Sequence, residues 1–204
     1  MGSIDTVSAL FILTAILLAN GFFVAAEFAL VKVRSTQIEL LAERGSLQAR
    51  VAMSILNNLD GYLSACQLGV TLASLALGWI GEPVVGSLID QLFLKLGVDS
   101  PELAHQIALP TAFISITFLH IVIGEQAPKM AAIQKATAVS LFSALPLRVF
   151  YALTYPFIQL LNTSSNFVVR LLGIKPVSEA EISHTTEELK LIVSQAEKSQ
   201  QLSL

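Results

Sequence analysis

Residues 7–31, VSALFILTAILLANGFFVAAEFALV, constrain this chain more than any other stretch. They are long and apolar enough for a helix that crosses a bilayer, which takes about 20 residues. They also carry Asn20 and Glu27, and stranding an ionisable group in lipid costs at least ~2.5 kcal/mol. Polar residues kept inside such a helix face the protein's own interior or a water-filled path. The stretch therefore implies an integral membrane protein with polar groups turned inward.

Composition points the same way. Hydrophobic residues make up 54% of the 204 and charged residues only 13%, against roughly 25% charged in a soluble domain. So little charge cannot coat a surface that faces water everywhere. The net charge of −3 excludes the broad basic face of a nucleic-acid binder. The single Cys66 excludes an intramolecular disulfide and a zinc–cysteine cluster, and its apolar surroundings make it a small hydrophobe. The N-terminal stretch does not read as a signal peptide, because it is too long, lacks a basic start and runs into Lys32 and Arg34 without a cleavage pattern.

The expected fold is all-α, with three transmembrane helices over about 6–31, 61–81 and 104–124 and juxtamembrane interfacial helices beside them. The second span carries no charge, and the third has only His105 and His120 as ionisable groups. Between the first two spans, Ile38, Leu41, Leu47, Val51 and Ile55 fall on helical spacing interrupted at Gly45. Two short helices fit that pattern, as does an extended first helix followed by a turn. Lys32, Arg34, Arg44 and Arg50 put this segment in the cytoplasm, and the acidic 82–103 loop then lies outside. The chain is expected in the cell membrane with its N-terminus outside and its C-terminus cytoplasmic.

Residues 134–173 are apolar but punctuated by Pro146, Arg148 and Pro156. They read either as a fourth span or as interfacial helices on the cytoplasmic face with Arg148 and Arg170 at the headgroups. Arg170 and Lys175 favour the second reading, which makes residues 6–175 one membrane domain. Residues 176–204 are polar, and Thr185 or Thr186 can cap a helix begun by Glu187 and Glu188. Leu189, Ile192 and Ala196 give that helix one apolar face, as a cytoplasmic connector would have.

Three sets of polar residues could carry chemistry. Ser64, Gln67, Thr71 and Ser74 share one stripe of the second span, as either a helix-packing face or a row of oxygen ligands. Asn20 and Glu27, seven apart, share a face of the first span, with Glu27 either functional or paired to Lys32, Arg34 or Lys129. The sharpest is Gly124-Glu125-Gln126-Ala127-Pro128-Lys129. Pro128 has no amide hydrogen, so the Gly124 carbonyl loses its helical partner beside the Glu125 carboxylate. A cation would satisfy both groups; the alternative is a helix that ends at an interface with Glu125 in water or paired to Lys129. Carboxylate, amide, hydroxyl and carbonyl oxygens suit a hard cation such as Mg²⁺ or Ca²⁺, or Na⁺. His120, just before the motif, reads first as a core histidine bonded to a carbonyl, with tuning of the site as the alternative. No Ser–His or paired-Asp arrangement supports an intramembrane enzyme.

At these residues the chain resembles the CorC/CNNM family of magnesium transporters. The resemblance rests on Asn20-Gly21-Phe22-Phe23-Val24-Ala25-Ala26-Glu27-Phe28-Ala29-Leu30, on Leu63-Ser64-Ala65-Cys66-Gln67-Leu68-Gly69-Val70-Thr71, and on Gly124 to Lys129. His184-Thr185-Thr186-Glu187-Glu188-Leu189 is similar to that family's connector into a cytoplasmic CBS-pair domain. The resemblance implies a homodimer that moves Mg²⁺ outward, with Na⁺ as an exchanged ion. It implies Glu125, Gly124, Asn20 and Ser64 at the cation, and Gln67, Thr71, Glu27, Pro128 and Lys129 nearby or along the pathway. The rival readings are a membrane adaptor without flux and a transporter of Na⁺ or another divalent ion.

Overall fold

The computed structural model describes residues 6–95 and 101–173, and every regular element among them is helical. Helix α1 (Thr6–Lys32) is followed by two short helices, α2 (Ser35–Glu43) and α3 (Leu47–Leu56). Then come α4 (Leu59–Lys95), α5 (Pro101–Leu119), a π-helical segment (His120–Gln126), α6 (Ala127–Gln134) and α7 (Ala136–Leu171). This is an all-α membrane architecture. Its outer surface carries large apolar side chains such as Phe11, Trp79, Phe113 and Leu153, all more than half exposed, as lipid contact requires.

The first span matches α1 closely. The break at Gly45 is where α2 gives way to α3: Gly45 adopts φ +91°, a conformation that costs other residues about 1–2 kcal/mol. Ser46 then caps α3, its Oγ accepting from the Ala49 amide at 3.3 Å. Ile38, Val51 and Ile55 are buried as their spacing predicts, whereas Leu47 is exposed. They pack with Ala26, Leu30, Tyr62, Cys66, Ala144 and Leu147 in one cluster, so the short helices plug the ends of α1 and α4. Cys66 is a free, fully buried thiol in that cluster.

Three elements differ from expectation. The second span does not stop at residue 81: α4 continues through Pro83 to Lys95, because Val85, Leu88, Ile89 and Leu92 sustain helical spacing. The third does not end at residue 124 but passes through the π-helical segment into α6. Residues 136–171 form one continuous helix through Pro146 and Pro156 rather than a set of helices. By length and composition α7 is a fourth helix able to cross a bilayer.

Its packing, however, runs across its neighbours. Phe142 and Phe150 are about 12 Å apart along α7, yet they meet Phe22 and Phe23, adjacent residues of α1. Further on, Tyr151 stacks on Tyr62 at 4.3 Å, and Ile158 packs with Ala65 and Leu68 of α4. So α7 crosses α1 and α4 steeply. The connector expected over 176–204 lies outside the described residues.

Candidate cation site

The site forms where α1 meets the π-helical segment. There the Ala127 amide bonds to the Val122 carbonyl, five residues back instead of four. Pro128 sits in the first turn of α6, where a missing amide hydrogen is tolerated. The Gly124 carbonyl therefore has no α-helical donor from Pro128. It finds one on another helix: Asn20 Nδ2 donates to Gly124 O at 2.9 Å, in a buried contact 104 residues apart in sequence. The carbonyl expected to be bare is thus covered by an amide, because an unpaired buried carbonyl is costly. Asn20 is only 1% exposed.

Close approach of the two helices depends on their glycines. A Cβ at Gly124 would stand 3.0 Å from His120 Cδ2 and Leu17 Cδ1 and 3.1 Å from Asn20 Nδ2. A Cβ at Gly21 would stand 3.0 Å from Pro128 Cγ.

The network extends from Asn20 into α4. Ser74 Oγ donates to Asn20 Oδ1 at 3.3 Å and lies 3.2 Å from His120 Nε2. His120 thus has the Ser74 hydroxyl as a partner at Nε2. Sequence reasoning placed Ser74 on the polar stripe without giving it a role in the site, and put His120 next to the site only as the second of two readings. The available signal was that Asn20 and Ser74 each need partners in a dry helix interface.

The rest of the stripe points elsewhere. Gln67 and Thr71 are exposed, and Thr71 Oγ1 bonds to its own helix at the Gln67 carbonyl, 2.8 Å away. The buried face of α4 carries Cys66, Gly69, Ala73 and Leu77, roughly opposite Thr71 on a 3.6-residue helix. Only Ser74, at the stripe's edge, reaches Asn20. Ser64 is half-buried and lies about 15 Å along α4 from Ser74.

Glu125, Glu27, Pro128 and Lys129 are half-buried. Among the described residues neither carboxylate forms an ion pair. Lys129 instead places its ammonium over the Phe28 ring, 4.5 Å from the centroid. The described residues hold no group of three or more His, Cys, Asp or Glu suited to a metal ion. A cation at this site would therefore need backbone and amide oxygens as well as the Glu125 carboxylate, the donor set that hard cations accept.

Residues 11–203 match the CNNM family model, described as the cyclin M transmembrane N-terminal domain. Among curated proteins the chain is 48% identical over 188 residues to UPF0053 protein YugS of Bacillus subtilis (strain 168), covering 92% of this chain and 43% of that protein. It is 45% identical over 190 residues to UPF0053 protein YrkA of the same organism, covering 93% and 44% respectively. In Mycobacterium tuberculosis, uncharacterized protein Rv1841c is 34% identical over 192 residues, covering 94% of this chain and 54% of that one. The chain spans less than half the length of the two Bacillus relatives. The matched region runs through α1 and the Gly124–Lys129 motif alike, and the chain belongs to the CNNM family through its transmembrane domain.

Proposed function

We propose that this chain is the membrane domain of a Mg²⁺ transporter, which holds the ion between α1, α4 and the π-helical segment. The observation that carries this reading is the Gly124 carbonyl, which Pro128 does not partner and an α1 amide meets, next in sequence to a carboxylate without an ion pair. Mg²⁺ takes near-octahedral oxygen coordination at ~2.0–2.1 Å and gives up water reluctantly. Stripping that water requires several protein oxygens at once. Glu125, the Gly124 carbonyl and the Asn20 side-chain oxygen are the ligands we assign, with Glu27 and Ser64, the latter about 15 Å along α4 from Ser74, on the pathway. Family membership supports the same reading, and we infer outward transport in exchange for Na⁺.

The adaptor reading needs Glu27, Glu125 and Lys129 as structural pairs, and Lys129 rests on Phe28 instead. The functional unit we propose is a homodimer. Lipid offers the exposed Gln67 amide no partner, and a second copy of α4 would supply one. Basic residues at 32, 34, 44 and 50 support a cytoplasmic position for the α1–α4 connection in the orientation we propose, with the cell membrane as the location. Residues 176–204 would lead into a CBS-pair domain. The test is Mg²⁺ flux from liposomes loaded with purified protein. Glu125→Ala is expected to abolish it, and wild-type flux in that variant would refute the assignment.

A further inference from the structure

The amide that covers Gly124 is oriented to exclude a cation. A carbonyl can only accept, so the Asn20 atom 2.9 Å from Gly124 O must be the nitrogen. An amide nitrogen has no lone pair to offer a metal, and it sits on the approach a cation would take to that oxygen. Turning the carboxamide over exchanges Nδ2 and Oδ1 with almost no change of shape. Two oxygens, from Gly124 and Asn20, then face the same point.

What the turn requires falls on Ser74. In the structure the Ser74 hydroxyl donates to Asn20 Oδ1 while its oxygen faces His120 Nε2. After the turn, Nδ2 points at Ser74, which must accept from it and send its own hydrogen to His120 Nε2. A hydroxyl is both donor and acceptor and rotates about one bond. The bond to Asn20 Oδ1, at 3.3 Å, is longer than the ~2.7–2.8 Å typical of O–H···O bonds, which leaves room for that rotation. His120 ends the chain in either direction by changing neutral tautomer, giving up its proton at Nε2 and taking one at Nδ1 by exchange with water.

We propose that Ser74 is a positioning residue that reverses its hydrogen bonds between Asn20 and His120, letting the Asn20 amide turn from covering Gly124 to ligating the cation. This rests on the reading of a cation at Gly124 and adds to it the step by which the site opens.

Removing the hydroxyl harms the turned state more. It leaves the Asn20 N–H without an acceptor, and orphaned buried N–H groups are tolerated less than under-satisfied carbonyls. The experiment titrates purified protein with Mg²⁺ by isothermal calorimetry. Ser74→Ala is expected to bind about tenfold more weakly than wild type, the size of one lost buried hydrogen bond. Ser74→Cys, which keeps the volume but not the bond, should fall with it, and Ser74→Thr should bind like wild type. Wild-type affinity in Ser74→Ala or Ser74→Cys overturns the positioning role while leaving the cation reading intact. A wild-type protein that takes up no Mg²⁺ overturns both.

Should Ser74→Ala fail to fold, Asn20→Asp supplies a second test. It cannot donate to Gly124, so without added Mg²⁺ it should melt below wild type and gain more from saturating Mg²⁺. Equal gains in the two proteins would also overturn the proposal.

Discussion

Gly124→Ala is a demanding test of the packing at the site, because the substitution ordinarily helps a helix. In an unhindered helix interior alanine gains about 1 kcal/mol over glycine. Here the added methyl would stand 3.0 Å from His120 Cδ2, 3.0 Å from Leu17 Cδ1 and 3.1 Å from Asn20 Nδ2. Ordinary contact begins near 3.4 Å, so three neighbours on two helices must each retreat by a few tenths of an ångström. Overpacking of this kind costs typically ~1–3 kcal/mol. The retreat of Asn20 also stretches its 2.9 Å bond to Gly124 O, and a buried carbonyl deprived of its donor costs another ~1–3 kcal/mol.

Set against the propensity gain of about 1 kcal/mol, the net expectation is a loss of about 1–5 kcal/mol. Gly78→Ala is the internal control, since a methyl there meets nothing within 4 Å and should be neutral or mildly stabilising. The assay is thermal unfolding of the detergent-solubilised protein followed by loss of the monodisperse peak. A Gly124→Ala protein as stable as Gly78→Ala would refute the close approach of α1 to the π-helical segment.

Other substitutions test separate parts of the account. Pro128→Ala gives Gly124 O a competing backbone donor and should weaken Mg²⁺ binding several-fold in a calorimetric titration; unchanged affinity would count against a role for the proline. Lys129→Gln should cost no more than about 1 kcal/mol of stability, the size of an exposed cation–π contact, and should leave Mg²⁺ affinity intact; lost affinity would mean that Lys129 serves a carboxylate after all. Gly45→Ala should destabilise by about 1–2 kcal/mol through its backbone alone, as thermal unfolding would register, with Gly45→Asn less harmful.

Much of the architecture was legible because apolar run length and glycine punctuation act locally. The α1 limits and the α2–α3 break at Gly45 follow from such signals. The extent of α4 was not read, because the acidic residues of 82–103 were read as a loop although the apolar spacing continues beyond Pro83. In α7, two prolines and an arginine suggested several pieces, but both prolines are accommodated in one helix.

At the site, backbone chemistry identified the special carbonyl at Gly124 from Pro128 alone. What covers it could not be read, because that depends on which helix approaches. The resemblance put Asn20 at the same cation, but its bond to Gly124 and the direction of its amide follow only from the 2.9 Å contact. The stripe from Ser64 to Ser74 shares a helical face without sharing an environment. Periodicity fixes which residues are neighbours on a helix and not which neighbour the helix meets.

The central claim is that Gly124 O and the Glu125 carboxylate take a hard cation. It is tested most directly by a crystal structure of the protein grown in saturating Mg²⁺. The account predicts an ion at ~2.0–2.1 Å from Gly124 O, a Glu125 oxygen and an Asn20 side-chain atom, which at that distance can only be Oδ1. A structure at saturating Mg²⁺ in which the Asn20 amide still sits 2.9 Å from Gly124 O, with no ion beside Glu125, would contradict it.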